Sequence, residues 1–499
     1  MKKVLIHLVH GDFNALECAI ENIEAGNEVF LLQCDNSLGI CQHNELGNCM
    51  LCMHCRHAMR SITKELGINN RVKWLKLKSL ITEADIKEAQ SCKIDFNSIQ
   101  GLKDYIYKDA ELGYGAFSSY VTSTRNVMPD ITDQFKKYIT YMIRKEIMVY
   151  NVVERLYDAY HFDLIIFHNG RFAQFKPFYE FSRLHGIEYI ATECKFVNKK
   201  LLKDNFHNDI PHSLKYLAKN VLENWERGDT MTREEIGRSF FERRKKGLAA
   251  GDKVFVKDQH IGEMPADWDD AVENISIFNS SEDEFCAISK DYDNYLMFPN
   301  QYIALKTIFD HYKNDKTKHF YVRVHPNLKN VPYKSHLALY ELKYDNVTII
   351  AANSSVSSYS LLDNSDKIII FDSTMGVEAA YWGKPVIALS NYIYKYLGLL
   401  NYPNNTKELW DMIDDKNLGI NINENLIKYG YWLLNLNYPE TKIPYGYVNM
   451  DFLGHKIETA TIMKSFGSYK ICIIEEMLLN KLKFFSSFKV LPCTNPYKP

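Results

Sequence analysis

The sequence predicts an α/β protein with two parallel-sheet domains. Short apolar runs alternate with amphipathic helical stretches in two separate blocks, and a charged, glycine-interrupted segment divides them. The length of 499 residues, 46% hydrophobic and 24% charged, is enough for two or three packed domains at roughly 150 residues each.

In the first block, Lys3 to Val9 reads as a strand, because its apolar run is too short for a signal peptide and no small-residue cleavage site follows. A helix from Asn14 to Ala25 comes next, with Asn14 as its cap and Gly26 as a left-handed stop. Strands are then expected at Glu28 to Gln33 and Val72 to Leu77, and a long amphipathic helix at Asp133 to Tyr160. A further strand pair, Phe162 to Phe167 and Glu188 to Ala191, brackets a helical run from Phe175 to Leu184. Residues 213 to 250 read as charged helix, and Gly251, Gly262 and Pro265 mark a linker.

The second block repeats this grammar. Strands are expected at Ile275 to Phe278, Phe320 to Val324, Val347 to Ala351, Lys367 to Phe371 and Pro385 to Leu389, with helices at Gln301 to Lys313 and Met375 to Trp382. The domains expected are therefore 1–250 and 265–425, followed by a helical extension over 426–499. Within that extension, Tyr469 to Phe485 is apolar on one side and carries several lysines. It reads as a packing helix, or alternatively as a segment lying on an anionic membrane.

Lys plus Arg number 60 against 62 Asp plus Glu, a net charge of -2, so no global field attracts nucleic acid. The mean hydropathy is -0.30, and no stretch approaches the ~18 apolar residues that a membrane-spanning helix needs. Five of the eleven cysteines, Cys34, Cys41, Cys49, Cys52 and Cys55, lie within one short segment. This density points to tetrahedral zinc or a [4Fe-4S] cluster, with a group of reduced buried thiols as the bland alternative.

In an open parallel sheet the ligand crevice lies at the carboxyl ends of the strands. Ser373 and Thr374 follow one such strand and open a helix, where free backbone N–H groups favour an anion, and Glu378 one turn in can accept from sugar hydroxyls. Arg323 and His325 end the preceding strand, where they can meet charge on a departing phosphate. Ser280, Ser281 and Glu284 follow the first strand of the same block. As bland alternatives, each of these is an ordinary helix cap or turn.

Together, Phe278 to Phe285, Arg323-Val324-His325-Pro326, Ser373 to Ala380 and Gly383-Lys384-Pro385 resemble the C-terminal half of GT-B glycosyltransferases of bacterial capsule and O-antigen synthesis. The first block resembles the same enzymes through Leu112-Gly113-Tyr114-Gly115, Ser118-Ser119, Phe167-His168-Asn169-Gly170-Arg171 and Thr192-Glu193. The resemblance spans about residues 1 to 420 and implies two Rossmann-like domains facing a cleft. The first would take a glycan or lipid-linked acceptor and the second a nucleotide-sugar donor, usually without a bound divalent metal. Asp-x-Asp pairs that a GT-A enzyme would require occur only in polar stretches, at Asp267 and Asp269 and at Asp291 and Asp293.

An inverting reaction needs a base, for which Asp12, His168 and Glu193 are the candidates, with a helix cap as the bland reading of Asp12 and a surface acid as that of Glu193, while a retaining reaction needs none of this kind. The resemblance also implies ligation by Cys34, Cys41, Cys52 and Cys55, with Cys49 spare and His43, His54 and His57 in reserve. The location expected is the cytoplasm, with peripheral contact at the inner face of the plasma membrane as a variant. A sugar-nucleotide epimerase or polyol-phosphate transferase is the rival enzyme reading. A metal or iron–sulfur sensor or redox protein is the rival of another class.

Overall fold

The computed structural model describes residues 1–9, 11–34, 37–39, 41, 52, 56, 59–60, 62–197, 200–248, 256, 258–293, 296–435, 438–441, 449–452 and 455–458. They fall into two compact units. The first comprises Met1–Thr124, Asp130–Pro211 and the described residues from Tyr438 onward, and the second comprises Arg125–Pro129 and His212–Asn437.

The first unit holds a six-stranded sheet of β1 (Lys3–Leu8), β2 (Glu28–Gln33), β3 (Lys73–Lys76), β4 (Leu164–His168), β5 (Glu188–Val197) and β6 (Lys200–His207). Their order is β3-β2-β1-β4-β5-β6, parallel except for the antiparallel β5–β6 edge. Val4, Leu5, Ile6, Ile165, Ile166 and Phe167 are buried, as central strands covered on both faces must be. Helix α1 (Phe13–Glu24) packs on this sheet, as does α4 (Lys176–His185), while α2 (Leu112–Thr124) and α3 (Asp133–Tyr160) pack on each other and on α4.

Two local details differ from the sequence expectation. The cap of α1 is Asp12, whose side chain accepts from the Ala15 N–H at 2.9 Å, and not Asn14. The Asn14 amide is buried and donates to the Glu193 carbonyl and to Asn205 Oδ1, tying α1 to the β5–β6 edge. Strand β6 was not expected at all, because Lys200–His207 interleaves polar residues as an edge strand does. Helix α3 matches its expected span, capped by Thr132 and ended by His161 at φ 52°.

The second unit holds a fully parallel sheet of β7 (Glu273–Phe278), β8 (Lys318–Arg323), β9 (Val347–Ile350), β10 (Lys367–Ile370) and β11 (Val386–Ala388), in the order β11-β10-β7-β8-β9. Its helices include α5 (Leu214–Arg227), α6 (Arg233–Lys245), α7 (Gln301–Tyr312), α8 (Ser358–Asn364), α9 (Met375–Tyr381) and α10 (Glu424–Leu434). The fold class is thus α/β with two Rossmann-like sheets. Helices α5 and α6 pack against α10 in the second unit, so packing places the boundary before His212, whereas composition suggested a linker near residues 250 to 265.

The crossing of α6 and α10 explains this grouping. A Cβ on Gly237 would collide with the Ile427 carbonyl, and one on Gly430 with the Gly237 carbonyl, so the two backbones touch where both helices lack side chains. After α10 the chain forms an antiparallel hairpin, β12 (Asn449–Phe452) with β13 (His455–Glu458), where a helical extension was expected. The expected helix at Tyr469 to Phe485 lies outside the described residues. No helix among the described residues is long and apolar enough to cross a membrane.

Because the obstacle at the crossing is backbone, it cannot be relieved by a rotamer change. Gly237→Ala and Gly430→Ala should each lower the unfolding free energy by about 1–3 kcal/mol in urea denaturation. A loss below about 0.5 kcal/mol would show that the helices separate at little cost.

Candidate functional site

Each sheet reverses its direction of strand addition once, between β1 and β4 in the first unit and between β7 and β10 in the second. The loops leaving adjacent strands diverge at such a point, and functional side chains collect there.

In the first unit the loop after β1 supplies Asp12, the end of β4 supplies His168, and β5 supplies Thr192 and Glu193. His168 Nδ1 lies 3.5 Å from Asp12 Oδ2, and its Nε2 lies 3.9 Å from Glu193 Oε1. The Thr192 hydroxyl donates to Asp12 Oδ2 at 2.7 Å, and the Asn169 amide donates to Glu193 Oε1. The turn that permits this has Asn169 at φ 55° and Gly170 at φ 83°. The three residues expected to compete as a base are therefore neighbours.

Their charges are interdependent. Burial pushes the His168 pKa down, but Glu193 and Asp12 outweigh it and carry the imidazole up to about 9. Burial raises the Asp12 carboxyl, but the His168 contact, the Ala15 N–H and the Thr192 hydroxyl hold it below the usual carboxylate range. Near neutral pH the group is a cation between two carboxylates. The side chain of Asp12 is 2% exposed and that of Glu193 is 24% exposed, so Glu193 is the carboxylate that an incoming group can reach.

The glycine motif expected beside this site has a packing role. A Cβ on Gly113 would strike the Leu102 carbonyl, and one on Gly115 would strike Glu146 and Lys176, so α2 needs both glycines to approach its neighbours. Ser118 accepts from Arg171 Nε at 2.5 Å, and Ser119 accepts from the Ala173 N–H at 2.9 Å, joining this motif to the turn after β4.

In the second unit the expected donor residues divide into two sets. His325, Ser281 and Thr374 share a strand-end region with two arginines that sequence reasoning missed, Arg125 and Arg244. Arg125 donates to both oxygens of Asp283, to the Ser281 hydroxyl at 2.8 Å and to the Asn327 carbonyl at 3.3 Å. Arg244, from the end of α6, donates to Glu378 Oε1 at 2.8 Å and to the Thr374 hydroxyl at 3.1 Å. His325 Nδ1 accepts from the Asn327 N–H at 3.1 Å. Burial lowers its pKa to about 4, and the positive charges of Arg323, Arg125 and Arg244 act in the same direction, so His325 is a neutral imidazole.

Other expected residues are engaged in holding the scaffold. Arg323 is 2% exposed and donates to the carbonyls of Ala351 and Ser354, and burial lowers its pKa to about 10. Glu378 is fully buried and receives Arg244 and the Tyr359 hydroxyl, so its oxygens are occupied by protein donors where a sugar hydroxyl was expected. Ser280 accepts from the Asp372 N–H at 2.7 Å and so joins the ends of β7 and β10. Ser373 accepts from the Met375 N–H at 3.3 Å, and the exposed Glu284 accepts from the Asn327 amide at 3.4 Å. Arg125 gave no sequence signal. Arg244 lay within Glu242 to Gly247, a basic run that was read only as a helix end.

Of the cysteine segment, Cys34, Cys41 and Cys52 are half-buried and described, whereas Cys49, Cys55, His43, His54 and His57 lie outside the described residues. Cys34 Sγ is 3.6 Å from Ser37 Oγ, and Lys145 and Tyr141 of α3 donate to the carbonyls of Ser37 and Leu38. Among the described residues, no group of three or more His, Cys, Asp or Glu side chains is arranged to hold a metal ion. The expected zinc or iron–sulfur group therefore finds no donor set there.

Residues 296–421 match the family described as capsule polysaccharide biosynthesis protein. No curated protein matches the chain. Similar solved structures include two KpsC transferases of Thermosulfurimonas dismutans. The beta Kdo 2,7 transferase is 16% identical, covers 63% of this chain and 87% of its own, and has a TM-score of 0.32. The beta Kdo 2,4 transferase is 15% identical, covers 61% and 87%, and has a TM-score of 0.34. UDP-GlcNAc 2-epimerase of Methanocaldococcus jannaschii is 12% identical over 87% of this chain and 99% of its own, with a TM-score of 0.23. The pair of Rossmann-like sheets is the domain composition of the GT-B class.

Two outcomes test the electrostatics. The folded pKa of His168 lies above its ordinary value, so its stabilising charge is fully present below about pH 6.5 and is lost as pH rises through about 9. The melting-temperature gap between wild type and His168→Gln should therefore be largest near pH 6 and should close by pH 10; a gap independent of pH would refute the assignment. Arg244→Met strands the buried Glu378 and should lower stability by about 3–5 kcal/mol, whereas Arg244→Met with Glu378→Leu should recover much of that loss in denaturant titration.

Proposed function

We propose that the chain is a glycosyltransferase that moves a sugar from a nucleotide-sugar donor to a growing cell-surface polysaccharide or lipid-linked glycan. The observation that carries this reading is a coincidence of position. The segment resembling capsule polysaccharide biosynthesis proteins, 296–421, contains His325, Ser373 and Thr374, and His325 feels the charge of Arg125 and Arg244. Such a group suits the phosphates of a donor, whose negative charge grows as the sugar departs.

On this reading the sugar C1–phosphate bond breaks, an acceptor oxygen bonds to C1, and the acceptor proton passes to a carboxylate. Glu193 is the base, since it is the reachable carboxylate of the first unit. His168 and Asp12 hold its surroundings, the imidazolium balancing two negative charges. Neutral His325 serves as a hydrogen-bond donor to the phosphate through Nε2, because Nδ1 already accepts from Asn327. Ser281, Thr374 and the arginines complete the phosphate contacts, while Ser280, Arg323 and Glu378 shape the floor. No step requires a metal or cluster at the cysteine segment. The reading puts the enzyme in the cytoplasm, where nucleotide-sugars are supplied.

Thermal stabilisation by UDP, GDP, dTDP, CDP and CMP tests this, since a ligand bound only to the native state raises its melting temperature. One of these nucleotides should stabilise the wild type, and His325→Ala should lose most of that shift. Failure of all five at millimolar concentration would overturn the reading.

A further inference from the structure

The packing of α2, α3 and α4 in the first unit encloses a cluster of charge that the candidate site does not use. Glu146 of α3 and Lys176 of α4 are fully buried, and Glu180 of α4 is 1% exposed. The three groups are not evenly paired. Lys176 Nζ lies 2.8 Å from Glu180 Oε1, and Arg183 donates to Glu180 Oε2 at 2.7 Å. Both oxygens of Glu146 are buried without a hydrogen-bond partner.

A carboxylate in such a place lacks both water and donors, and the group responds by taking a proton. Burial pushes the Glu146 carboxyl well above the usual carboxylate range; the charge of Lys176 opposes this and that of Glu180 adds to it. Burial raises Glu180 as well, but the charges of Lys176 and Arg183 and their hydrogen bonds hold it below that range. One ammonium thus stands near two carboxyls, and it serves Glu180.

The groups around this cluster are engaged elsewhere. From α2 comes the Tyr114 ring, with Lys103 and Lys176 lying over it at 5.7 and 5.9 Å. In the loop before α2, burial carries the Tyr105 hydroxyl up to about 12, and the Cys92 thiol and the charge of Glu146 add to this. The helix Glu83–Ser91, also packed on α3, holds Asp85 on Arg155 and Glu88 on Tyr107 and Asn151. On α3 itself, Arg144 donates to the Gln90 carbonyl at 3.4 Å.

The cluster also lies next to the anchor of the His168 turn. Gly115 of α2 faces Glu146 so closely that a Cβ there would come within 2.0 Å of Oε1 and 2.8 Å of the Lys176 Cβ. One turn on, Ser118 accepts from Arg171 and Ser119 from the Ala173 N–H, which fixes the chain after β4. An ionised Glu146 needs water or a donor, and the α2 backbone closes that side.

We propose that Glu146 is a proton site built into the fold: the first unit closes with a proton on this carboxyl, and release of that proton to solvent loosens α2 and the turn after β4 that it anchors. The inference is independent of the glycosyltransferase reading.

Urea denaturation of the full chain between pH 5 and 7, below the titration of His168, tests the first half. The unfolded chain ionises Glu146 above about pH 4.3, so a native proton makes stability fall as pH rises. Glu146→Gln cannot ionise and escapes that fall, so the ratio of its folding constant to that of wild type should grow about tenfold per pH unit. Glu146→Leu should show the same slope whatever its packing offset. Ratios that stay flat or decline with pH would show an ionised Glu146 and overturn the proposal. Hydrogen exchange over residues 168–176 tests the second half. The wild type should exchange faster than Glu146→Gln by a factor that grows severalfold between pH 5 and 7, the two proteins being compared at the same pH. A factor that does not change with pH would show that the proton has no hold on the turn, and would overturn the coupling.

Discussion

Each sheet changes the direction in which its parallel strands are added, and the polar groups of interest collect in the space this opens. At β1 and β4 the departing loops diverge, so Asp12 and His168 meet with little backbone between them. At β7 and β10 the same divergence would leave two strand ends unjoined, and the Ser280 hydroxyl closes it by accepting the Asp372 N–H. Buried backbone groups must be paired somewhere, and a side chain does this where no neighbouring strand can.

The two units balance charge in opposite ways. In the first, two carboxylates hold one imidazole charged. In the second, burial and three arginines keep another imidazole neutral. The arginines are themselves restrained, Arg125 by Asp283, Arg244 by Glu378, and Arg323 by two carbonyls. Their geometry is therefore set before any ligand arrives, which lowers the ordering cost of binding an anion.

Much of this was legible in the residues. The strand cores carry apolar runs that admit few other readings, and strand-end positions pointed to Asp12, His168, Glu193 and His325 without knowledge of their contacts. Both Asp12 and Asn14 read as good caps for α1, and only the tertiary partner of Asn14 distinguishes them. Arg125 was invisible because nothing local marks it: its role comes from Ser281 and Asp283, more than 150 residues away. Glu378 was legible as a site residue, but its fully buried pairing with an arginine from another helix was not.

The segment Arg125–Pro129 belongs to the second unit although the chain on both sides of it belongs to the first, and the chain returns to the first unit again after Asn437. The polypeptide thus passes between the units four times. Neither unit is a continuous stretch of sequence, so no single cut yields an intact half. A fragment beginning at His212 would keep all five strands of the second sheet yet lose the guanidinium that grips Ser281 and Asp283. Exchange of this second unit between related proteins would have to carry five residues from far upstream, or else rebuild that grip from within.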